Sequence, residues 1–212
     1  MIRILVTAFG AFPGAPVNPT MSIARYLEKR RRAFRLIGID LVTHVLPVIF
    51  AGTGERLSEL IASLKPDIVL HLGLAGRRST ISVETRALNR MTILHADSQR
   101  KRSGAMQIVP HGESVRRSRF SAERLMRVIS QAGAPARRSI DAGDYLCNQV
   151  LYLSLGLHRA PCGFIHVPKP RRLRAPGGWT EQKRRRPALS AIARSIEAAV
   201  RDLAIGSSPR HG

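Results

Sequence analysis

The chain has 212 residues and a mass of 23.4 kDa, the size of one ordinary α/β domain with at most a short tail. Hydrophobic residues make up 44% of it and charged residues 23%, and these near-average values exclude a disordered, collagenous or coiled-coil protein. The 35 Lys and Arg residues outnumber the 14 Asp and Glu residues, so the formal net charge is +21 and a polyanion must be considered as a partner.

The amino-terminal part of the chain predicts a strand, a loop and a helix. An apolar, β-rich run over 2–9 predicts the first strand, and the segment 10–19, rich in Gly and Pro, predicts a loop at its carboxyl end. Thr20 is then the predicted cap of a helix whose apolar positions recur with helical spacing. We expect this helix to end in the basic cluster 29–32, because cations at a helix C-terminus offset the helix dipole.

The next elements continue the alternation and define the fold class. The sequence predicts a strand over 39–48, a helix over 52–64 and a strand over 67–73. The last of these is continuously apolar, which is typical of a parallel strand buried on both faces. The β-α-β-α-β order therefore predicts an α/β fold, a doubly wound, mostly parallel twisted sheet with helices on both faces.

A polar, arginine-rich stretch separates these elements from the remaining ones. We expect a strand over 79–88 and then long loops or a hairpin over 89–119. The elements predicted beyond it are a helix over 122–132, a strand over 136–140, a helix over 144–157, a strand over 163–167, a basic loop over 171–187 and a closing helix over 188–203. A single α/β domain is expected over 1–206, followed by a disordered tail over 207–212.

Cysteine content and the amino terminus both favour a cytoplasmic protein. Two cysteines, Cys147 and Cys162, cannot form a disulfide framework for a domain of this size, which favours a reducing compartment. The apolar run at the amino terminus is interrupted by Arg3 and passes directly into Gly and Pro residues, so it predicts a strand rather than a signal peptide. No stretch approaches the roughly 20 apolar residues of a membrane helix, so no membrane partner is expected.

Cys147 is the first candidate catalytic residue. If Asp144 caps the helix predicted over 144–157, Cys147 lies in its first turn, where free backbone N–H groups and the positive end of the dipole favour a thiolate and lower the pKa of the thiol. The same N–H groups are suited to receive an oxyanion. A lone cysteine among apolar residues is more often a small buried hydrophobe, and position alone leaves both interpretations open.

His166 and Glu84 are the other two candidates. His166 stands near the end of a predicted strand, where functional groups of an open α/β sheet collect, and it is suited to take a thiol proton and return it to a leaving amine. A structural role for this histidine is equally open. Glu84 shares a strand face with Arg86, which favours a solvated ion pair. Brought together, Cys147, His166 and Glu84 would form an arrangement for acyl transfer through a thioester.

A series of motifs occurs in collinear order from the first strand to about residue 168. They are TAFGAFPG (7–14), NPT (18–20), VLPV (45–48), PDI (66–68), HLGLAGR (71–77), VE (83–84) with Asn89, YLCN (145–148) and GFIHVP (163–168). Together they resemble one family, pyroglutamyl peptidase I, the pyrrolidone-carboxylate peptidases. This resemblance implies a cysteine peptidase domain and a hydrolase that removes an N-terminal 5-oxoproline residue, pyroglutamate, from peptides.

The resemblance also implies roles for the three catalytic candidates. Cys147 matches the family nucleophile, His166 the general base and acid, and Glu84 the third catalytic residue, which orients and stabilises the histidine. No cofactor and no metal are implied, because this mechanism needs only a thiolate, an imidazole and a carboxylate.

Substrate contacts and partners follow from the same resemblance. Phe9 and Phe12 match the aromatic residues that pack on the lactam ring, and Asn18 matches the side chain that hydrogen-bonds it. Pyroglutamate has no free amine, so an apolar slot with a few amide partners holds it without burying an ion. The expected partners are a peptide with a blocked N-terminus and further copies of the chain, in a homodimer or homotetramer.

The sequence departs from the family pattern in segments expected to surround the substrate. Thr85 follows the glutamate where the family has arginine, Leu94 stands where another arginine is expected, and Lys169 begins a segment that replaces Tyr-Ile-Pro. Such changes bear on specificity more than on the nucleophile. One alternative is therefore a family-like scaffold that hydrolyses another N-terminal lactam or amide.

The positive charge suggests a second alternative, an arginine-rich non-catalytic protein that binds RNA or another polyanion. The basic segments 99–119 and 171–186 would carry this activity, and affinity would fall steeply with salt. These segments lack the interleaved aromatic residues on which bases stack. Only five of the 35 basic residues are lysine, which favours GC-rich codon usage as the source of the charge. We therefore expect binding of nucleic acid to be nonspecific at most.

Overall fold

The computed structural model describes residues 1–12, 14–157, 159–171 and 186–207. Its six-stranded sheet contains β1 (Ile2–Phe9), β2 (Ile39–Leu46), β3 (Ile68–Leu74), β4 (Ile81–Glu84), β7 (Ala136–Ser139) and β8 (Cys162–Val167), in the order β2-β1-β3-β8-β4-β7. The neighbouring strands β2, β1, β3 and β8 are parallel, β4 runs antiparallel to β8, and β7 is parallel to β4. A second sheet pairs β5 (Arg86–Leu88) with β6 (Val115–Arg117).

Helices cover both faces of the main sheet. One face carries α1 (Pro19–Lys29), α2 (Arg31–Leu36), α4 (Ala122–Gln131) and α6 (Leu189–Ser207), and the other carries α3 (Thr53–Leu64) and α5 (Leu146–Leu157). Successive side chains of a strand point to opposite faces, so Ile4 and Val6 of β1 enter the first core while Leu5 and Phe9 enter the second. The predicted fold class, a doubly wound and mostly parallel α/β sheet, is confirmed.

The predicted helix cap at Thr20 is wrong by two residues. Asn18 caps α1, because its side-chain Oδ1 accepts a hydrogen bond from the backbone N–H of Thr20. Pro19 occupies the first turn, where a missing N–H removes no helical hydrogen bond. The basic cluster 29–32 spans the end of α1 and the start of α2 instead of lying at one helix end.

The strand predicted over 79–88 is divided at Thr85. Both the N–H and the hydroxyl of Thr85 donate to the carbonyl of Ser139, and its own carbonyl accepts from the N–H of Ser118. The chain thereby passes from β4 in the large sheet to β5 in the small one. Because β5 pairs with β6 across a long connection, the region 89–119 contains the long loops that we expected and one strand of a hairpin.

The carboxyl-terminal part agrees with the prediction in its elements and differs in their lengths. The closing helix α6 extends through Ser207, beyond its predicted end at 203. Residues 172–185 of the predicted basic loop and 208–212 of the predicted tail lie outside the described residues. None of the described helices combines the length and the apolar character that crossing a bilayer requires.

Two arginines of the basic stretch 99–119 take part in the fold. Arg116 donates to the carbonyl of Tyr152 at 3.0 Å, and its guanidinium lies 4.1 Å from the centroid of the tyrosine ring. Arg119 donates to the carbonyls of Leu155 and Ala160. Cations at the end of a helix satisfy carbonyl groups there and offset the helix dipole. Part of the positive charge therefore stabilises the carboxyl-terminal turns of α5.

Candidate active site

A cavity of about 1040 Å³ opens at the edge of the sheet where the parallel strands end. The residues that follow β1, β3 and β8 reach it, as expected for a binding site in an open α/β sheet. Five of the six predicted site residues line it, namely Phe9, Phe12, Asn18, Cys147 and His166. Glu84, the sixth, is fully buried.

Glu84 and His166 form a buried hydrogen-bonded pair. In the antiparallel ladder of β4 and β8, Ser82 lies opposite His166 and Glu84 opposite Phe164, so Glu84 and His166 are diagonal neighbours on one face. His166 Nδ1 lies 2.8 Å from Glu84 Oε1, and the two side chains are 6% and 0% exposed. An ionised carboxylate only accepts hydrogen bonds, so Nδ1 carries the proton and Nε2 of the neutral ring keeps a lone pair.

Arg78 is a second partner of the Glu84 carboxylate, and the sequence did not single it out. Its Nη1 lies 2.6 Å from Glu84 Oε1, and its Nη2 donates to the carbonyl of Asp141 at 2.8 Å. Burial acts to raise the pKa of Glu84, but the hydrogen bond and charge of His166, with the hydrogen bonds of Ser139 and Arg78, outweigh burial and hold the pKa below its ordinary value. Glu84 is therefore ionised at neutral pH.

The interpretation of Glu84 as half of a solvated pair with Arg86 is wrong. Glu84 is the last residue of β4, and Arg86 is the first residue of β5 in the other sheet. The Nε of Arg86 donates to the carbonyl of Ile140. The break at Thr85 separates the two side chains that a continuous strand would have placed on one face.

Cys147 lies in the first turn of α5. The helix begins directly after Tyr145, one residue later than a cap at Asp144 would give, and its first i→i−4 hydrogen bond joins the Gln149 N–H to the Tyr145 carbonyl. The backbone N–H groups that precede Gln149 in the helix are those that lack a helical carbonyl partner. Cys147 therefore stands beside a group of N–H donors suited to an oxyanion.

Gly73 makes room for the thiol beside the strand that carries His166. Gly73 of β3 and His166 of β8 are register partners in the parallel ladder. A Cβ atom at Gly73 would lie 2.8 Å from the Cys147 Sγ and 2.5 Å from a ring carbon of Phe164. Only glycine leaves this space, and the thiol occupies it over the strand that pairs with the His166 strand.

The predicted lowering of the Cys147 pKa is wrong. Burial of the thiol and the negative charge of Glu84 raise the pKa of Cys147 to about 12, and they outweigh the opposing effects of its own backbone N–H and of Arg78. A helix N-terminus favours a thiolate, but a thiol packed in the cavity wall loses the solvation that an ion needs. Cys147 is therefore a neutral thiol at neutral pH.

This pKa predicts how Cys147 reacts with an alkylating reagent. Only the thiolate attacks iodoacetamide, so the rate constant is expected to rise about tenfold per pH unit between about pH 7 and pH 10. Peptide mass spectrometry locates the label, which we expect on Cys147 and not on the fully buried Cys162. A rate constant that levels off below about pH 8 would show that the thiol ionises near neutrality.

Phe9, Phe12 and Asn18 meet at the end of β1. Phe9 is the last residue of the strand, and Phe12 lies in the loop that follows. The Asn18 amide donates to the Gly10 carbonyl at 3.0 Å, and its Oδ1 accepts from the N–H and the hydroxyl of Thr20. Asn18 thus joins both ends of the loop. No described residue accepts from the second N–H of its amide, which remains for a ligand.

These groups together suit acyl transfer. A thiol, an imidazole whose Nε2 has no hydrogen-bond partner among the described residues, and an ionised carboxylate are the kinds of group that acyl transfer needs as nucleophile, base and group that orients the base. Within the part of the chain that the structure describes, no three His, Cys, Asp or Glu side chains are grouped as a metal site requires.

Known proteins resemble the chain over nearly its whole length. The sequence model of the pyroglutamyl peptidase family matches residues 2–202. The chain belongs to this family. One relative, a pyrrolidone-carboxylate peptidase of Pyrococcus furiosus, is 37% identical over 173 residues, which are 79% of this chain and 81% of the relative.

Solved structures of pyroglutamyl peptidases share the fold. The pyrrolidone carboxyl peptidase of Thermus thermophilus superposes with a TM-score of 0.79 at 34% identity, covering 93% of this chain and 98% of the other. The enzyme of that name from Thermococcus litoralis gives a TM-score of 0.85 at 27% identity, covering 97% and 94% of the two chains.

The three departures from the pyroglutamyl peptidase pattern lie in different surroundings. Lys169 lines the cavity, as expected. Leu94 is 73% exposed and is not among the described residues of the cavity wall, and Thr85 lies at the junction of the two sheets. Of these three residues, only Lys169 is therefore placed to contact a substrate directly.

Asn148 is a further residue that positions the site, although sequence reasoning assigned it no role beyond the LCN motif. Its amide Nδ2 donates to the carbonyls of Leu88 and Arg90, and its Oδ1 accepts from the Leu88 N–H. These bonds tie the first turn of α5 to the end of β5. The residue that follows Cys147 thus fixes the helix on which the thiol is carried.

Proposed function

We propose that this protein is a cysteine exopeptidase that removes N-terminal pyroglutamate from peptides. The observation that carries the proposal is the buried Glu84–His166 pair at the cavity that also holds the Cys147 thiol, in a chain of the pyroglutamyl peptidase family. Relatives of the chain and solved structures similar to it are named pyrrolidone-carboxylate or pyrrolidone carboxyl peptidases. Cys147 acts as the nucleophile, His166 as base and acid, and Glu84 as the group that orients the imidazole.

Acylation begins with a proton transfer that accompanies nucleophilic attack. Nε2 of His166 takes the thiol proton while the Cys147 Sγ bonds to the carbonyl carbon of the pyroglutamyl residue. The carbonyl oxygen gains the electron pair of the broken π bond and becomes an oxyanion. The N–H groups at the start of α5 donate hydrogen bonds to this oxyanion. Because the thiol is neutral beforehand, the ionised Glu84 stabilises an imidazolium that forms only during this step.

The intermediate then collapses and the enzyme is regenerated. The imidazolium protonates the leaving nitrogen, the C–N bond breaks, and the shortened peptide departs as a free amine. A pyroglutamyl thioester remains on Cys147. Water attacks the thioester while His166 takes its proton, the C–S bond breaks, and the thiol regains its proton from the imidazolium as pyroglutamic acid is released.

Selection of pyroglutamate rests on the residues at the end of β1. Phe9 and Phe12 offer aromatic faces to an uncharged lactam ring, and the second N–H of the Asn18 amide is available to the lactam carbonyl. A free α-amino group would enter this slot as a cation and lose its hydration without a partner there. The slot therefore discriminates against ordinary amino termini.

The experiment that tests this function compares fluorogenic amides. The purified protein under reducing conditions is expected to release the amine from a pyroglutamyl amide and to leave prolyl, glutamyl, glutaminyl and alanyl amides intact. Phe12→Ala is expected to raise KM for the pyroglutamyl amide more than it lowers kcat, because the ring contributes to binding. Absence of hydrolysis of the pyroglutamyl amide, or faster hydrolysis of an unblocked one, would overturn the proposal.

Gly73→Ala is expected to slow this hydrolysis and to destabilise the fold. The new methyl group overlaps the Cys147 thiol and the Phe164 ring, and overpacking of this kind costs about 1–3 kcal/mol of the free energy of unfolding. Gly54→Ala is the matched control, because a Cβ there meets only Leu153 at 3.7 Å, an ordinary contact. Steady-state rates and thermal unfolding of both variants check the prediction. Full activity in Gly73→Ala would mean that the thiol does not need the space above this glycine.

A further inference from the structure

Three cations surround Gly76 at the cavity, and the mechanism above uses none of them. Arg77 follows β3, Lys169 follows β8, and Arg186 precedes α6. The Lys169 Cε lies 3.1 Å from the position of a Cβ at Gly76, and the Arg186 Nη2 donates to the Gly76 carbonyl at 3.0 Å. Gly76, Arg77 and Lys169 line the cavity. We call Arg77, Lys169 and Arg186 the Gly76 cluster.

Two members of the Gly76 cluster, Lys169 and Arg186, carry charge that is available to a ligand. Within the described ranges, neither Lys169 nor Arg186 forms an ion pair, and the Nε of Arg186 is buried without a hydrogen-bond partner. A buried donor that lacks an acceptor costs free energy, and an anion bound between these side chains would supply the acceptor. The cluster therefore has both the charge and an unused donor for an anionic group.

The described residues of the cavity wall do not neutralise Lys169 or Arg186. Asp97 carries the only carboxylate among the described residues of the wall. Its oxygens accept hydrogen bonds from the backbone N–H groups of Phe50, Gln99 and Lys101, and the residue is 1% exposed. This carboxylate is committed to holding its own loop, so within the described part of the wall it is not a partner for Lys169 or Arg186.

The order of the strands places the Gly76 cluster on the side of the leaving peptide. β1 carries Phe9 and leads to Phe12, Cys147 packs on Gly73 of β3, and His166 lies on β8, the next strand in the sheet. With pyroglutamate at the end of β1, the chain beyond the scissile bond extends towards β8, where His166 protonates its nitrogen. Lys169 follows His166 by three residues on this side.

We propose that the Gly76 cluster binds a carboxylate of the peptide that follows pyroglutamate, so that this protein prefers acidic substrates. This inference rests on the proposed function. A cavity of about 1040 Å³ has room for more than the blocked residue itself. The carboxylate belongs either to an acidic side chain after pyroglutamate or to the C-terminus of a short peptide. Guanidinium and ammonium groups recognise both in the same way.

Matched pairs of substrates test the preference. Pyroglutamyl-glutamate amide is compared with pyroglutamyl-glutamine amide, and pyroglutamyl-alanine with pyroglutamyl-alanine amide, by kcat/KM from the release of a free amine. In at least one pair, the carboxylate form is expected to be the better substrate by about fivefold at low salt, the value of a favourable exposed ion pair. The ratio is expected to fall towards one at about 0.5 M salt, because screening weakens exposed charge interactions. The pair that shows the preference identifies the source of the carboxylate.

Charge-reversal variants locate the preference on the cluster. Lys169→Glu is expected to bring the carboxylate-to-neutral ratio below one. Arg100→Glu is a control in the same cavity, since its loop is bonded to Val48 on the β2 side, and it is expected to change the ratio less. Arg32→Glu is a remote control with the same charge change on the exposed surface of α2, and it is expected to leave the ratio unchanged.

The outcomes separate this inference from the proposed function. Ratios near one in both pairs at low salt, or a ratio that Lys169→Glu does not lower, would overturn the inference while leaving pyroglutamyl hydrolysis in place. Failure to cleave any of the four substrates would contradict the proposed function and the inference with it.

Discussion

Replacing Cys147 with alanine is expected to lower kcat/KM for a pyroglutamyl amide by about 10⁴-fold or more, the largest effect that any single substitution in this protein should have. The alanine keeps the backbone N–H groups at the start of α5, Phe9, Phe12 and Asn18, so substrate still binds. What is lost is the atom that bonds to the substrate carbonyl. Residual hydrolysis then depends on water and the oxyanion donors alone.

Cys162→Ala is the matched control for this substitution. Cys162 is the other cysteine of the chain, fully buried at the start of β8, and burial raises the pKa of its thiol to about 12. Its loss leaves a small cavity in the core and is expected to lower the free energy of unfolding by about 1 kcal/mol while activity is retained. If Cys147→Ala kept activity and Cys162→Ala lost it, the nucleophile would be the other cysteine.

Glu84→Gln is expected to lower kcat by about 10³-fold to 10⁴-fold with little change in KM. The glutamine amide fits the same space, and its oxygen at the position of Oε1 still accepts from Arg78 Nη1 and His166 Nδ1. The amide carries no charge, however, so the imidazolium that forms when His166 takes the thiol proton loses the ionised partner that stabilises it. The barrier to proton transfer therefore rises while the contacts that bind the substrate are unchanged.

Glu59→Gln makes the same chemical change on the exposed surface of α3 and is expected to leave kcat unaltered. Equal kcat values for Glu84→Gln and wild type would remove the carboxylate from the mechanism.

The ionisation of Glu84 also affects stability. Because the folded-state pKa of Glu84 is lowered, its contribution to the free energy of unfolding is present above the unfolded-state pKa and is lost as the pH falls through the folded-state pKa. Wild type and Glu84→Gln should therefore differ in acid unfolding below about pH 4.5.

The fold was largely predictable because its signals are local. The alternation of apolar runs and helical periodicity up to β3 depends on neighbouring residues only, and the parallel arrangement follows from the length of the crossovers. The break at Thr85 was not predictable in this way, since it depends on Ser139 and Ser118, which are distant in sequence. Asn18 and Thr20 are both residue types that cap helices, and composition alone does not decide between them. Asn18 is the cap of α1, and Pro19 after it is compatible with the first turn.

The members of the site were predictable from motifs, whereas its electrostatics were not. Cys147 and His166 stand in short motifs that resemble a family, and the structure places both at one cavity. The lowered pKa of Glu84 depends first on His166, which lies on a neighbouring strand, and also on Arg78, whose contact requires the turn after β3 to fold back on β4. The raised pKa of the Cys147 thiol depends on packing over Gly73, a contact between residues far apart in the chain. The position of Cys147 at a helix N-terminus, taken alone, predicts a lowered pKa instead.

Trapping the covalent intermediate tests the central claim most directly. Wild-type protein is mixed with a pyroglutamyl amide, quenched in acid within the first turnover and digested for mass spectrometry. We predict one added pyroglutamyl group on the peptide that contains Cys147, held as a thioester that hydroxylamine releases, and no adduct in Cys147→Ala. Turnover of the substrate with no acylated protein at any time, or with the acyl group on another residue, would contradict the account.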